Sequence, residues 1–110
     1  MRRPRMDIDV NEADGIYELK ADIPGVEKKD IEIDIDGNTI TISARKERRD
    51  DVKEGDRVVR QERFLGETRR SISLPTAIDQ SQAKATYDKG VLSLSLPKKH
   101  SESTRRLQIS

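Results

Sequence analysis

Apolar residues recur at every second position along much of this chain. In the stretch IYELKADIPG, Tyr17, Leu19, Ala21 and Ile23 fall in one phase, and Glu18, Lys20 and Asp22 in the other. Period two is the signature of a strand with one face buried. The same alternation sets Ile31, Ile33 and Ile35 against Glu32, Asp34 and Asp36, then Ile40, Ile42 and Ala44 against Thr39, Thr41 and Ser43. Gly37-Asn38 between them suits a two-residue hairpin loop. Pro24-Gly25 suits the two central positions of a type II turn, where only the second needs a positive φ. Further strands are expected at MDIDV (Met6, Ile8, Val10) and at SISLP (Ile72, Leu74, stopped by Pro75). QAKATYDKGVLSLSLP reads as a strand with Ala83, Ala85 and Tyr87, a turn at Asp88-Lys89-Gly90, and a strand with Leu92, Leu94 and Leu96 that stops at Pro97.

No stretch carries a helical stripe. Short strands punctuated by Gly and Pro point to an all-β fold, an immunoglobulin-like antiparallel β-sandwich, with a closed barrel as the alternative. Alternation says that one face of each strand is buried. It does not give the order of the strands.

Composition makes the expected core lean. Of 110 residues, 32% are hydrophobic and 39% charged, against about 25% charged in an ordinary domain. One domain of this length can hold a core, but a thin one, so neighbouring subunits are expected to supply some of the burial. The net charge of +1 gives no general pull toward an acidic partner. Without cysteine there are no disulfides and no thiolate metal sites. No apolar run is long enough to cross a bilayer as a helix; the expectation is a cytoplasmic protein that does not bind membranes.

The middle of the chain breaks the alternation. From Arg45 to Arg63, 14 of 19 residues are charged. A solvated loop with some helix is one reading. A loop this long in a small domain is often functional, however. Val58 and Val59 inside it, and Phe64-Leu65 after it, have no obvious internal destination. A projecting loop that carries a strand to a neighbour accounts for both.

Catalytic chemistry finds little to work with. His100, the only histidine, lies in a polar tail beside Ser101 and Glu102. A general base needs a fixed position and a partner within reach. Asp34 and Asp36, like Asp50 and Asp51, read as solvated carboxylates. No metal, cofactor or enzymatic activity is expected. Arg2, Arg3, Arg5, Lys46, Arg48 and Arg49 are basic, but acids interleave the second group and the aromatics number three, Tyr17, Phe64 and Tyr87. A single-strand reader wants aromatic platforms on a positive groove, so nucleic acid is not an expected partner.

Four motifs in order carry a resemblance. They are Ala21-Asp22-Ile23-Pro24-Gly25-Val26, the run from Gly66 through Arg70 to Leu74-Pro75, Ala85-Thr86-Tyr87-Asp88-Lys89-Gly90-Val91-Leu92, and Leu107-Gln108-Ile109. Together they resemble the small heat shock proteins of bacterial and plant type, the family of the α-crystallin domain. The resemblance covers about Met6 to Pro97 plus the tail, and divides the chain into a short stub (1–5), a domain (6–97) and a tail (98–110). It implies a holdase that binds unfolding proteins without ATP and assembles through homodimers into larger oligomers. It implies a strand-exchange loop in which Arg57, Val58, Val59 and Arg60 pair with the partner's Met6, Ile8 and Val10, with Arg70 at the interface. It also implies that Leu107 and Ile109 anchor the tail in a neighbour's groove lined by Ile31, Ile33, Ile35, Ala83, Ala85 and Tyr87. Where the family often has an aromatic two residues after the glycine, this chain has Thr68. Members usually carry a substantial arm ahead of the domain, and RRPR is read as the stub of one. The alternative is a β-sandwich adaptor that docks on one folded partner, as a co-chaperone does.

Overall fold

Alternating sequence becomes alternating burial. Along β2 (Ile16–Asp22) every second residue is buried, and along β7 (Val91–Pro97) Leu92, Leu94 and Leu96 are buried in the same way. The structure is a computed structural model that describes residues 3–54, 57–99 and 109, with side chains described for 3–46, 66–99 and 109. The remaining strands are β1 (Asp7–Ala13), β3 (Ile31–Asp36), β4 (Thr39–Glu54), β5 (Arg57–Ser73) and β6 (Lys84–Asp88). Short 3-10 turns occupy Lys28–Asp30 and Gln80–Gln82.

The strands form two antiparallel sheets, in the order β1-β2-β7-β6 and β3-β4-β5. Their inner faces meet in one core. Tyr17, Leu19 and Ala21 come from β2, Ile40, Ile42 and Ala44 from β4, and the three leucines from β7. Ile23, Leu74 and Ile78 come from the connections, and each is buried. The sandwich expected from the sequence is therefore the fold.

Three tight turns need a backbone that only small or turn-adapted residues adopt readily. Asp14-Gly15 (φ 48° and 80°) closes the β1–β2 hairpin, and Lys89-Gly90 (φ 49° and 82°) closes β6–β7. Gly25, with φ 77°, sits where a type II turn demands it. Gly90 is constrained by its φ and not by space. A Cβ there would stand 3.5 Å from the Cα of Pro24.

Among the described residues, the charged middle is strand. β4 and β5 run on past the sandwich as a two-stranded ribbon, paired from Thr39 with Ser73 out to Glu54 with Arg57. Among the described residues, β4 pairs with no strand but β5 beyond Ala44. From Lys46 to Glu54 the ribbon extends about 26 Å at the usual strand rise. The register sets Arg49 opposite Arg63 and Asp50 opposite Glu62, but also Arg45 opposite Glu67 and Glu54 opposite Arg57. An isolated two-stranded ribbon is marginal.

Candidate functional site

The two flanks of the sandwich differ. On the β1/β5 side, the chain's own N-terminal segment lies across the opening. Thr68 donates its hydroxyl to the Pro4 carbonyl at 2.6 Å, and Arg70 Nη1 donates to the Met6 carbonyl at 3.1 Å. Pro4 and Met6 are both buried there. These two hydrogen bonds latch residues that the sequence alternation could place in a strand but could not close over a core.

On the β3/β6 side nothing among the described residues closes the gap. β3 and β6 each end their sheet. Ile31, Ile33 and Ile35 stand half-buried on β3, with Tyr87 half-buried and Ala85 exposed on β6, and Ala83 half-buried just before it. Between the edges lies a slot of about 140 Å³ lined by Lys28, Ile31, Ile33, Ala85, Thr86, Tyr87 and Leu92. Its lining is largely apolar, and its volume suits aliphatic side chains. Of the six expected groove residues, Ile31, Ile33, Ala85 and Tyr87 line this slot, with Leu92 as floor. Ile35 and Ala83 lie on the same two edges, beyond the lining of the slot.

Tyr87 is tied down at its hydroxyl end. Its hydroxyl lies 2.7 Å from the carbonyl oxygens of both Ile23 and Val26 and can donate to one at a time. Those carbonyls bracket the Pro24-Gly25 turn that carries the chain from one sheet to the other. Ile23 N donates to the Gly90 carbonyl at 2.7 Å, tying the same turn to the β6–β7 hairpin.

The expected anchor and dimer residues are placed less completely. Leu107 lies outside the described residues, and Ile109 is 98% exposed. Met6 is buried in its own core, Ile8 is half-buried, and Val10 is exposed on β1. Arg57 to Arg60 lie in the ribbon, opposite Val52 to Glu54 of the same chain, and their side chains lie outside those described. Arg70 serves its own N-terminal segment through the bond to Met6.

Sequence reasoning missed one cluster at the root of the tail. Lys98 pairs with Glu12 of β1, and its ammonium stands 5.1 Å from the centroid of the Tyr17 ring. The Glu12 carboxylate raises the Lys98 pKa above the ordinary 10.5. The Lys98 amide donates to the Gly15 carbonyl and the Lys99 amide to Ala77, so the tail leaves from a fixed point. Asp14-Gly15 was the available signal, since that pair commonly closes a hairpin.

His100, the sole histidine, lies outside the described residues. Among the described residues, no group of three or more His, Asp or Glu is placed to hold a metal ion. No helix of the described residues is long and apolar enough to cross a membrane.

Comparison with known proteins places this geometry in context. The sequence profile of the Hsp20/alpha crystallin family matches residues 9–110. Small heat shock protein C2 of Rickettsia felis is 37% identical over 101 residues, which cover 92% of this chain and 65% of that protein. The chain spans 65%, 64% and 60% of the length of the first three curated relatives it matches. Among solved structures, heat shock protein 16.0 from Schizosaccharomyces pombe superposes with a TM-score of 0.68 at 31% identity, covering 94% of this chain and 82% of that one. A small heat-shock protein from Xylella fastidiosa, described as having a distinct high order structure, gives 0.63 at 28% identity, with 96% of each chain covered.

Proposed function

This chain belongs to the Hsp20/alpha crystallin family, and from that premise we propose that it is an ATP-independent holdase chaperone. It binds unfolding proteins through apolar surface and keeps them from aggregating. In this reading residues 6–97 are the domain and 98–110 a tethering tail.

The observation that carries the reading is the open β3/β6 slot in a chain whose tail carries Leu107-Gln108-Ile109. In an extended strand Leu107 and Ile109 point the same way, so both can enter one slot. Burying each is worth roughly 1.5–3 kcal/mol, and ordering the tail takes back much of it. One tail therefore holds weakly, while several acting together hold an assembly. Release of a tail uncovers Ile31, Ile33 and Tyr87 for a client.

Dimers form through the ribbon in the same reading. β1 carries Asp7, Asp9 and Glu12 and no cation of its own; Asp7 and Glu12 are engaged by Arg5 and Lys98, which leaves Asp9 without an ion pair among the described residues, where the outer edge of β1 is unpaired. The strand RVVRQER (57–63) carries three arginines and one glutamate. Its charge complements β1 of a second copy, while its own hairpin opposes Arg49 to Arg63 and Asp50 to Glu62 as well as Glu54 to Arg57.

The test is light scattering from a heat-labile client enzyme with the full chain present and no nucleotide. Suppression at near-stoichiometric chain is expected. Scattering identical to that of the client alone would overturn the proposal.

A further inference from the structure

Beside the slot, the outward face of β3 is acidic, while the lining of the slot itself holds one charged residue, Lys28. The outward-facing residues of β3 are Glu32, Asp34 and Asp36, all exposed. Across the ladder they face Ser43, Thr41 and Thr39, so no cation stands opposite them. None of the three takes part in an ion pair among the described residues, where the pairs are Arg5–Asp7, Lys29–Glu27 and Lys98–Glu12. Lys28 and Lys29 lie at the near end of β3, Lys29 engaged with Glu27. On the other side, β6 is mixed, with Lys84, Thr86 and Asp88 facing outward.

The tail has the complementary charge. Residues 98–110 hold four cations and one carboxylate, which leaves eighteen cations against twenty carboxylates in the rest of the chain. Two of those cations, Arg105 and Arg106, immediately precede Leu107. Alternation decides which of them reaches the β3 carboxylates. With Leu107 and Ile109 turned into the slot, Arg105 shares their phase, and Arg106 and Gln108 face outward.

We infer that Arg106 of one copy docks on the Glu32–Asp34 carboxylates of a second copy and thereby sets how the tail lies in the slot. The inference rests on the reading that Leu107 and Ile109 fill that slot. The apolar pair supplies the burial. The arginine supplies the choice of β3 over β6 as the side to lean on, and a dependence on salt that apolar anchoring lacks. Exposed pairs of this kind change an equilibrium by up to about fivefold. The change is multiplied when several tails hold one assembly, and it is screened as ionic strength rises and the Debye length falls from about 10 Å to 3 Å.

The test uses the full chain in native mass spectrometry at low and high ionic strength, with hydrogen exchange at the β3 and β6 amides. At low salt, Arg106→Glu is expected to lower the population above the dimer by about two- to fivefold and to speed exchange at Ile31 and Ile33. Asp34→Lys should do the same, and the two together should restore both readouts. At high salt the single variants should match the wild type. The pair Leu107→Ala and Ile109→Ala should lose the large species at any salt. Low-salt equality of Arg106→Glu with the wild type, while the alanine pair dissociates, overturns the inference and leaves the anchor reading standing. An alanine pair of unchanged mass overturns the anchor reading and the inference together. Slot protection in a monomeric species shows the tail to be the chain's own and overturns the contact between copies.

Discussion

The Tyr87 hydroxyl lies 2.7 Å from the carbonyl oxygen of Ile23, joining an edge strand of one sheet to the turn that leads into the other. A groove wall is thereby fixed by a polar contact behind it. The ring can present a constant face to the slot because its far end is held.

Tyr87→Phe removes that hydrogen bond and leaves the Ile23 and Val26 carbonyls without their hydroxyl donor. The expected cost is about 1 kcal/mol of folding stability, with the fold retained. Urea unfolding followed by circular dichroism measures it. A midpoint equal to that of the wild type would show that the hydroxyl does not secure the turn.

The ribbon prediction concerns assembly. Deleting Asp50 to Arg60 removes the outer ribbon and leaves the sandwich part of β4 and β5, paired from Thr39–Ser73 to Ala44–Thr68. Monomers with intact strand content are expected by size exclusion with light scattering. Persistence of the wild-type dimer would exclude exchange through this segment.

Lys98 gives a pH dependence with a definite sign. Glu12 raises its pKa above 10.5. A raised pKa in the folded state contributes stability that is fully present below the unfolded value and lost as pH rises through the folded one. The difference in thermal midpoint between wild type and Lys98→Met is therefore expected to be constant through neutral pH and to shrink above about 10.5. A gap that persists unchanged at high alkalinity would assign the effect of Lys98 to packing over Tyr17.

Much of this was legible in the residues because the code for a half-buried strand is local. Ile31, Ile33 and Ile35 announced β3 to the residue, and Gly37-Asn38 announced its turn. The assignment of a tail-binding groove rests on the motifs that resemble the family, since alternation names the inner face of a strand and says nothing of which edges lie side by side. The charged segment misled for a physical reason. Its strand character comes from pairing across the ribbon, while its sequence lacks the apolar alternation that a core would impose. Thr68 and Arg70 were equally silent. Their partners are carbonyls at Pro4 and Met6, 64 residues away in each case, and a carbonyl has no sequence signature.

Among the described residues, β1 and β3 leave one side of their backbone unpaired, and unpaired strand edges are the groups through which misfolding chains recruit neighbours into fibrils. Both edges carry carboxylates at alternate positions, Asp7 and Asp9 on one and Glu32, Asp34 and Asp36 on the other. A stray acidic strand meets electrostatic repulsion there before it can zip on, whereas an arginine-bearing one is admitted. A molecule proposed to live among sticky, half-folded chains is in this way guarded against being recruited as one more layer of their aggregate.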